Sequence, residues 1–342
     1  MRPAKPLFIA ITILLLCIHC NNVHAQSRGY LLALSKTDHT LAIVDPLSLK
    51  VLGKVPVGSD PHEVIASTDG KTAYVTIYGG GSLHEINVID LVGKKALTTI
   101  DTRPLYGPHG IEFVAGKVWF TAEGSKAVGS YDPATGKLDW SMGTGQDRTH
   151  MLYVTPDAKK IYTANINSGT VSILESTTVP PAGNAPPNAP PRQDWTQTII
   201  PTARGSEGFD VSPDGSELWT ASGQSGIITI IDLAAKKASA QLEAKVNGAN
   251  RLKFTRDGRL VFISSLQTGE VTIYDAKTRK EVKRLKPGRG VAGILMDPDG
   301  TRVFVACTPD NYIAIIDLKT LEAGGSLEVG GGPDGLAWAA QP

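Results

Sequence analysis

Short apolar runs recur along nearly the whole chain, separated by polar turns, and each is of strand length. One unit holds an apolar run, a turn such as Asp-Gly, a second run, a polar turn, a third run closed by an acidic residue, and a fourth short strand. The first turns are Thr68-Asp69-Gly70, Pro156-Asp157-Ala158, Pro213-Asp214-Gly215, Arg256-Asp257-Gly258 and Pro298-Asp299-Gly300. Ala115-Gly116-Lys117 holds that place in another unit. Glycine accepts positive φ there and aspartate caps the turn. The third run closes at Asp45, Asp90, Asp132, Glu175, Asp232, Asp275 and Asp317. These markers stand 42 to 45 residues apart except for one gap of 57. That gap predicts an insertion loop over 176–195. Its six prolines between Pro180 and Pro191 forbid a central strand.

Four antiparallel strands in about 42 residues cannot bury both faces of their own sheet, and radial stacking in a ring does so. Seven closing acidic residues predict an all-β fold: a seven-bladed β-propeller of four-stranded antiparallel blades. Innermost strands begin near His62, His109, His150, Glu207, Asn250 and Ala292. The seventh begins at Pro333-Asp334-Gly335, where the chain is nearly finished. Its partners stand at the other end, over 30–34, 40–45 and 51–57. The last blade is therefore expected to be composite, closed by N- and C-terminal strands, with residues 26–342 forming one domain.

Pro61-His62-Glu63-Val64, Asp69-Gly70-Lys71-Thr72-Ala73-Tyr74-Val75-Thr76 and Ile86-Asn87-Val88-Ile89-Asp90, with Val55-Pro56-Val57-Gly58, resemble the repeat of the YVTN family of seven-bladed propellers, a WD40-like repeat class. The resemblance spans residues 28–340. It implies fold more than function, because propellers similar to it include surface-layer proteins, accessory proteins of quinoprotein oxidation, heme d1 domains, and lyases or lactonases.

Arg2 and Lys5, the apolar run 7–17 and Val23-His24-Ala25 have the form of a secretory signal peptide over residues 1–25. The apolar stretch is too short for a transmembrane anchor. The expected location is the periplasm or the exterior, with no transmembrane anchor after cleavage. The mature chain then keeps one cysteine, Cys307, in an apolar run that predicts a buried thiol. With 34 Lys and Arg against 33 Asp and Glu, no bulk charge argues for nucleic acid as a partner. The basic stretch from Lys277 to Arg289 reads as a solvated outer strand.

Chemistry concentrates at one register position. The starts of the seven innermost strands face the channel mouth and read His62, His109, His150, Glu207, Asn250, Ala292 and Asp334. Three of the five histidines after the leader fall there, in consecutive blades. His62, His109, His150 and Glu207 would suit one divalent transition metal such as zinc, copper, nickel or iron. The same groups would suit acid–base work. Arg103, Arg148 and Arg204 precede ring residues and would suit a small anionic ligand, with Asn250 and Asp334 orienting it. Trp119 and Trp219 read as packing between blades. The sequence has no nucleophile-elbow triad, no Cys-x-x-Cys-His and no EF-hand loop. Gly79-Gly80-Gly81 lacks the Lys-Ser/Thr of a phosphate loop.

Three classes stay open. The first is an exported binding or accessory protein holding a small anion, a metal or a periplasmic or cell-surface protein at the channel mouth. The second is a metal-dependent lyase, lactonase or other hydrolase acting there. The third is a structural cell-surface protein.

Overall fold

Strand-length apolar runs, buried almost end to end in the second strand of each unit, build seven separate four-stranded sheets, arranged as the blades of a propeller. The computed structural model describes residues 29–181, 183–184, 186 and 188–342. The proposed signal peptide, residues 1–25, lies outside the described residues. Blade 1 runs from Pro61 to Asp101, blade 2 from Pro108 to Gly143, and blade 3 from Thr149 to Pro201. Blade 4 runs from Ser206 to Glu243, blade 5 from Ala249 to Leu285, and blade 6 from Val291 to Leu327. Blade 7 is composite: Pro333–Ala340 is innermost and Gly29–Ser35, Thr40–Asp45 and Lys50–Pro56 follow outward. The register of its closing pair runs from Gly29 opposite Ala340 to Ser35 opposite Pro333.

The closing aspartates recur for a local reason. Asp45 accepts the Leu47 N–H at 3.0 Å, Asp132 the Ala134 N–H at 2.8 Å and Asp317 the Lys319 N–H at 2.8 Å. Each carboxylate thereby satisfies turn donors that no strand reaches. The core lies between blades rather than within them. Leu32, Leu34, Leu41 and Ile43 of blade 7 pack on Val64, Val75, Ile77 and Ile89 of blade 1. Trp219 is fully buried, Trp119 nearly so, and Cys307 sits in the core between blades 5 and 6.

The insertion is shorter as a loop than 176–195. Its two ends pair as strand, from Ser176 opposite Trp195 to Val179 opposite Arg192. Residues 180–191 form the connection. The prolines stop the ladder, and the Thr and Trp residues before and after them still carry it.

Two details of the innermost strands position the site. First, the ladder skips at the ring position, between Pro61 and Val64, Pro108 and Ile111, Thr149 and Leu152, and Ala249 and Leu252. Such bulges leave backbone groups unpaired and re-aim side chains. Buried hydroxyls on the second strands fill the gap. Thr76 accepts the Glu63 N–H and donates to the His109 carbonyl of the next blade at 2.8 Å. Thr121 accepts the Gly110 N–H and donates to the His150 carbonyl at 2.5 Å. Second, the level below the ring is glycine in four blades. A Cβ on Gly110, Gly208, Gly293 or Gly335 would stand 2.1–2.8 Å from the next innermost backbone. The strands therefore approach closely, and only Glu63, Met151 and Arg251 place side chains at that level.

Candidate functional site

The seven ring positions converge. His62, His109, His150, Glu207, Asn250, Ala292 and Asp334 line one cavity of about 370 Å³ at the channel mouth. The rings of His62 and His109 have centroids 4.7 Å apart, and those of His109 and His150 only 3.8 Å. Arg148 also lines the cavity, from the left-handed backbone position that opens its strand (φ 56°). Arg103 and Arg204 do not line it. Arg103 is exposed and clamped by Asp101 two residues earlier, and Arg204 is exposed on its turn. Nearness in sequence to a ring residue does not aim a side chain at the mouth; the turn geometry does.

A second ring completes the walls and escaped sequence reading. The residue just after each second strand is Lys36, Tyr78, Glu123, Ile166, Gly223, Leu266 or Thr308. Of these, Lys36, Tyr78, Leu266 and Thr308 line the cavity, and buried Glu123 stands directly behind His150. The signal was present in the same repeat register that identified the first ring.

The polar groups form a chain. The Tyr78 hydroxyl donates to Glu123, and the His150 Nδ1–H donates to the other Glu123 oxygen at 2.5 Å. Arg148 Nε approaches that oxygen at 3.4 Å. On its far side His150 Nε2 stands 3.3 Å from Glu207. Asn250 Nδ2 donates to the same Glu207 oxygen at 2.6 Å. Arg251 closes the floor. Its guanidinium reaches from blade 5 across the channel to Glu63 of blade 1, and it stands 3.6 Å from Glu207. On the opposite wall Lys36 Nζ lies 2.8 Å from His62 Nε2, 3.3 Å from Asp60 and 3.4 Å from Asp334.

Burial and neighbouring charge drive the imidazoles apart. Burial lowers the His150 pKa, but Glu123 and Glu207 more than reverse this and carry it above the ordinary value. His109 is held well below it by burial, aided by His150, His62, Arg251 and Lys36. His62 is lowered by burial and by Lys36. Burial raises Glu123 and Glu207, but His150 and the other donors and cations bring both below the usual carboxylate range. The site thus sets an imidazole pushed toward its charged form, His150, against a stacked imidazole pushed toward its neutral form, His109.

Among the described residues no group of three or more His, Cys, Asp and Glu side chains is arranged to hold a metal ion. His62, His109, His150 and Glu207 do share the cavity, but both His150 nitrogens face carboxylates and His62 Nε2 faces Lys36. Two larger open grooves, of about 530 and 560 Å³, lie on the opposite rim between blades 4, 5 and 6. Their acidic walls are turn aspartates already bonded within their own turns, such as Asp257 to Thr255 and Arg259. No helix among the described residues is long and apolar enough to cross a membrane.

A family profile described as the Cytochrome D1 heme domain matches residues 113–306. No curated protein sequence matches the chain. Among solved structures, hydrazine synthase of Kuenenia stuttgartiensis superposes with a TM-score of 0.68 at 17% identity, covering 88% of this chain and 98% of that one. The dihydro-heme d1 dehydrogenase NirN in complex with DHE gives 0.61 at 15% identity, over 90% of this chain and 74% of that one. A Bacteroides fragilis protein described as a candidate 6-phosphogluconolactonase gives 0.72 at 16% identity, over 93% and 99%. At these identities the likenesses establish the shared propeller and nothing narrower.

Proposed function

Since the chain belongs to the Cytochrome D1 heme domain family, we propose a function for it as a ligand-handling propeller, one that holds a small anionic molecule at the channel mouth. Membership raises heme d1 itself as a ligand. The cavity does not suit it. Its volume, about 370 Å³, lies near the lower end of ligand pockets, and among its lining residues only Leu266 and Ala292 are aliphatic. The broad faces of a macrocycle need apolar walls. An imidazole and cations are at hand, but the surfaces that would sandwich a tetrapyrrole are not. The family match also begins at residue 113, beyond His62 and His109.

The observation that carries the anion reading is Arg148. It is the lining guanidinium left half open to solvent, with its closest acidic contact at 3.4 Å. Lys36 and the His150 cation stand in the same cavity. A guanidinium free to fork onto a carboxylate or phosphate, backed by a buried imidazolium, is an anion receptor. Export, a YVTN-type affiliation within the propellers and a periplasmic or cell-surface partner belong to this same proposal. They are supported by residues 1–25 and by the repeat sequences.

Titration calorimetry with small carboxylates and inorganic phosphate tests the reading. Arg148→Gln should weaken binding at least tenfold with little change in melting temperature. Wild-type affinity should fall as pH rises and His150 loses its proton. Undetectable binding of every anion, or an unaltered Arg148→Gln variant, overturns it.

A second reading, an enzyme of the lyase or lactonase kind, is favoured by the His109–His150 stack. Two adjacent imidazoles with pKa values pushed in opposite directions suit the roles of base and acid. The available geometry supports a metal-free version better than the metal-dependent one. Release of free acid from the lactone of any ligand that binds, or its absence, decides this reading.

A further inference from the structure

Five buried side-chain polar atoms among the described residues have no hydrogen-bond partner, and three belong to this one wall; His150 Nε2 faces Glu207 at 3.3 Å, which leaves His109 Nδ1 and Asn250 Oδ1. Both residues are more than nine-tenths buried and line the cavity. Buried polar atoms are nearly always paired, so a cluster of unpaired ones points to a polar partner belonging there.

The chemistry of that partner follows from Asn250. Its Nδ2 donates to Glu207. Glu207 is held ionised beside His150 and Arg251, so it only accepts. Turning the amide over would set oxygen against oxygen. Oδ1 therefore keeps its place as an acceptor, and what is missing is a donor. A bare carboxylate or phosphate dianion brings acceptors alone. An ammonium also brings donors, and the lining sets Lys36, Arg148 and Arg251 against Glu207 and Asp334, so alanine in the series below tests it directly. A hydroxyl brings a donor without charge, and its oxygen also accepts. It can therefore serve Asn250 or either protonation pattern of the neutral His109 ring.

We propose that the ligand of the channel mouth is a small hydroxy carboxylate, its carboxylate held by Arg148 and Lys36 and its hydroxyl groups met by Asn250 and His109. This rests on the anion reading above. The arrangement also separates classes, because a site built to accept from a hydroxyl rejects the analogue lacking it.

The test is a matched series on the wild-type mature chain, by calorimetry at pH 6.5: propionate, lactate, glycerate, gluconate and alanine. The hydroxy acids should bind at least tenfold tighter than propionate, about the factor an unpaired buried acceptor takes from affinity. Alanine should bind no better than propionate. Asn250→Ala should bring lactate and propionate together, with circular dichroism and melting confirming the fold. Equal affinity for lactate and propionate in the wild type overturns the hydroxyl requirement and leaves the anion site standing. Tighter binding of alanine overturns it in favour of an amino group. No binding by any member of the series, with inorganic phosphate also silent, overturns both.

Discussion

Glu112 shows how strongly position inside the channel governs a single residue. It sits three residues beyond His109 on the same innermost strand, near Asp210 and Lys253 at the far end of the channel. Its carboxylate accepts the Val154 N–H at 2.8 Å. Burial pushes its pKa up from 4.5 to about 7, Asp210 adds to this, and the Val154 N–H and Lys253 oppose it. A carboxyl with a raised folded pKa favours the fold when protonated. Its contribution is full below about 4.5 and is lost as pH rises through about 7. Glu112→Gln keeps an acceptor for Val154 and removes the charge. Thermal melts should place this variant close to wild type near pH 4.5 and several degrees above it by pH 8. A gap that stays constant across that range would contradict the assignment.

At the scale of the element, the innermost strand is the unit that matters. Its bulge turns the ring side chain toward the mouth, and the buried hydroxyl on the adjoining strand makes the bulge tolerable. Thr121 is the clearest case, since it serves Gly110 within blade 2 and His150 in blade 3. Thr121→Val keeps the shape and strands both backbone groups, a cost of about 1–3 kcal/mol for each unpaired buried group. Denaturant unfolding should register a loss of about 2–6 kcal/mol for the two together. The loss should come with weaker ligand binding, because the His150 backbone loses its anchor. A stable variant with unchanged denaturation midpoint would show that the ladder repairs itself.

Over the whole molecule, two devices hold the ring shut. One is the composite blade, in which Pro333–Ala340 pairs with Gly29–Ser35. The other is the Arg251–Glu63 ion pair spanning the channel. Removing residues 335–342 takes away the innermost strand of blade 7 and uncovers Leu31, Leu32 and Leu34, all fully buried in the intact ring. The shortened chain should lose cooperative unfolding and self-associate, as read by calorimetry and sedimentation. A monomeric variant with a sharp transition would mean that six blades and a remnant suffice.

The sequence by itself determined the number of blades, the composite closure and the first ring of site residues. Each is a local pattern repeated in fixed register: Asp69-Gly70 turns, the closing aspartates, and the residue that opens each innermost strand. Only the tertiary structure decided which of those residues meet and in what charge state. Arg148 reaches the cavity whereas Arg103 is held by Asp101, a matter of turn geometry that spacing does not encode. Glu123 is brought behind His150, and Arg251 onto Glu63, by ring closure between residues 27 and 188 positions apart. The opposite shifts of the stacked His109 and His150 follow from that closure. Burial disfavours charge on both, and only His150 is given carboxylates to hold it.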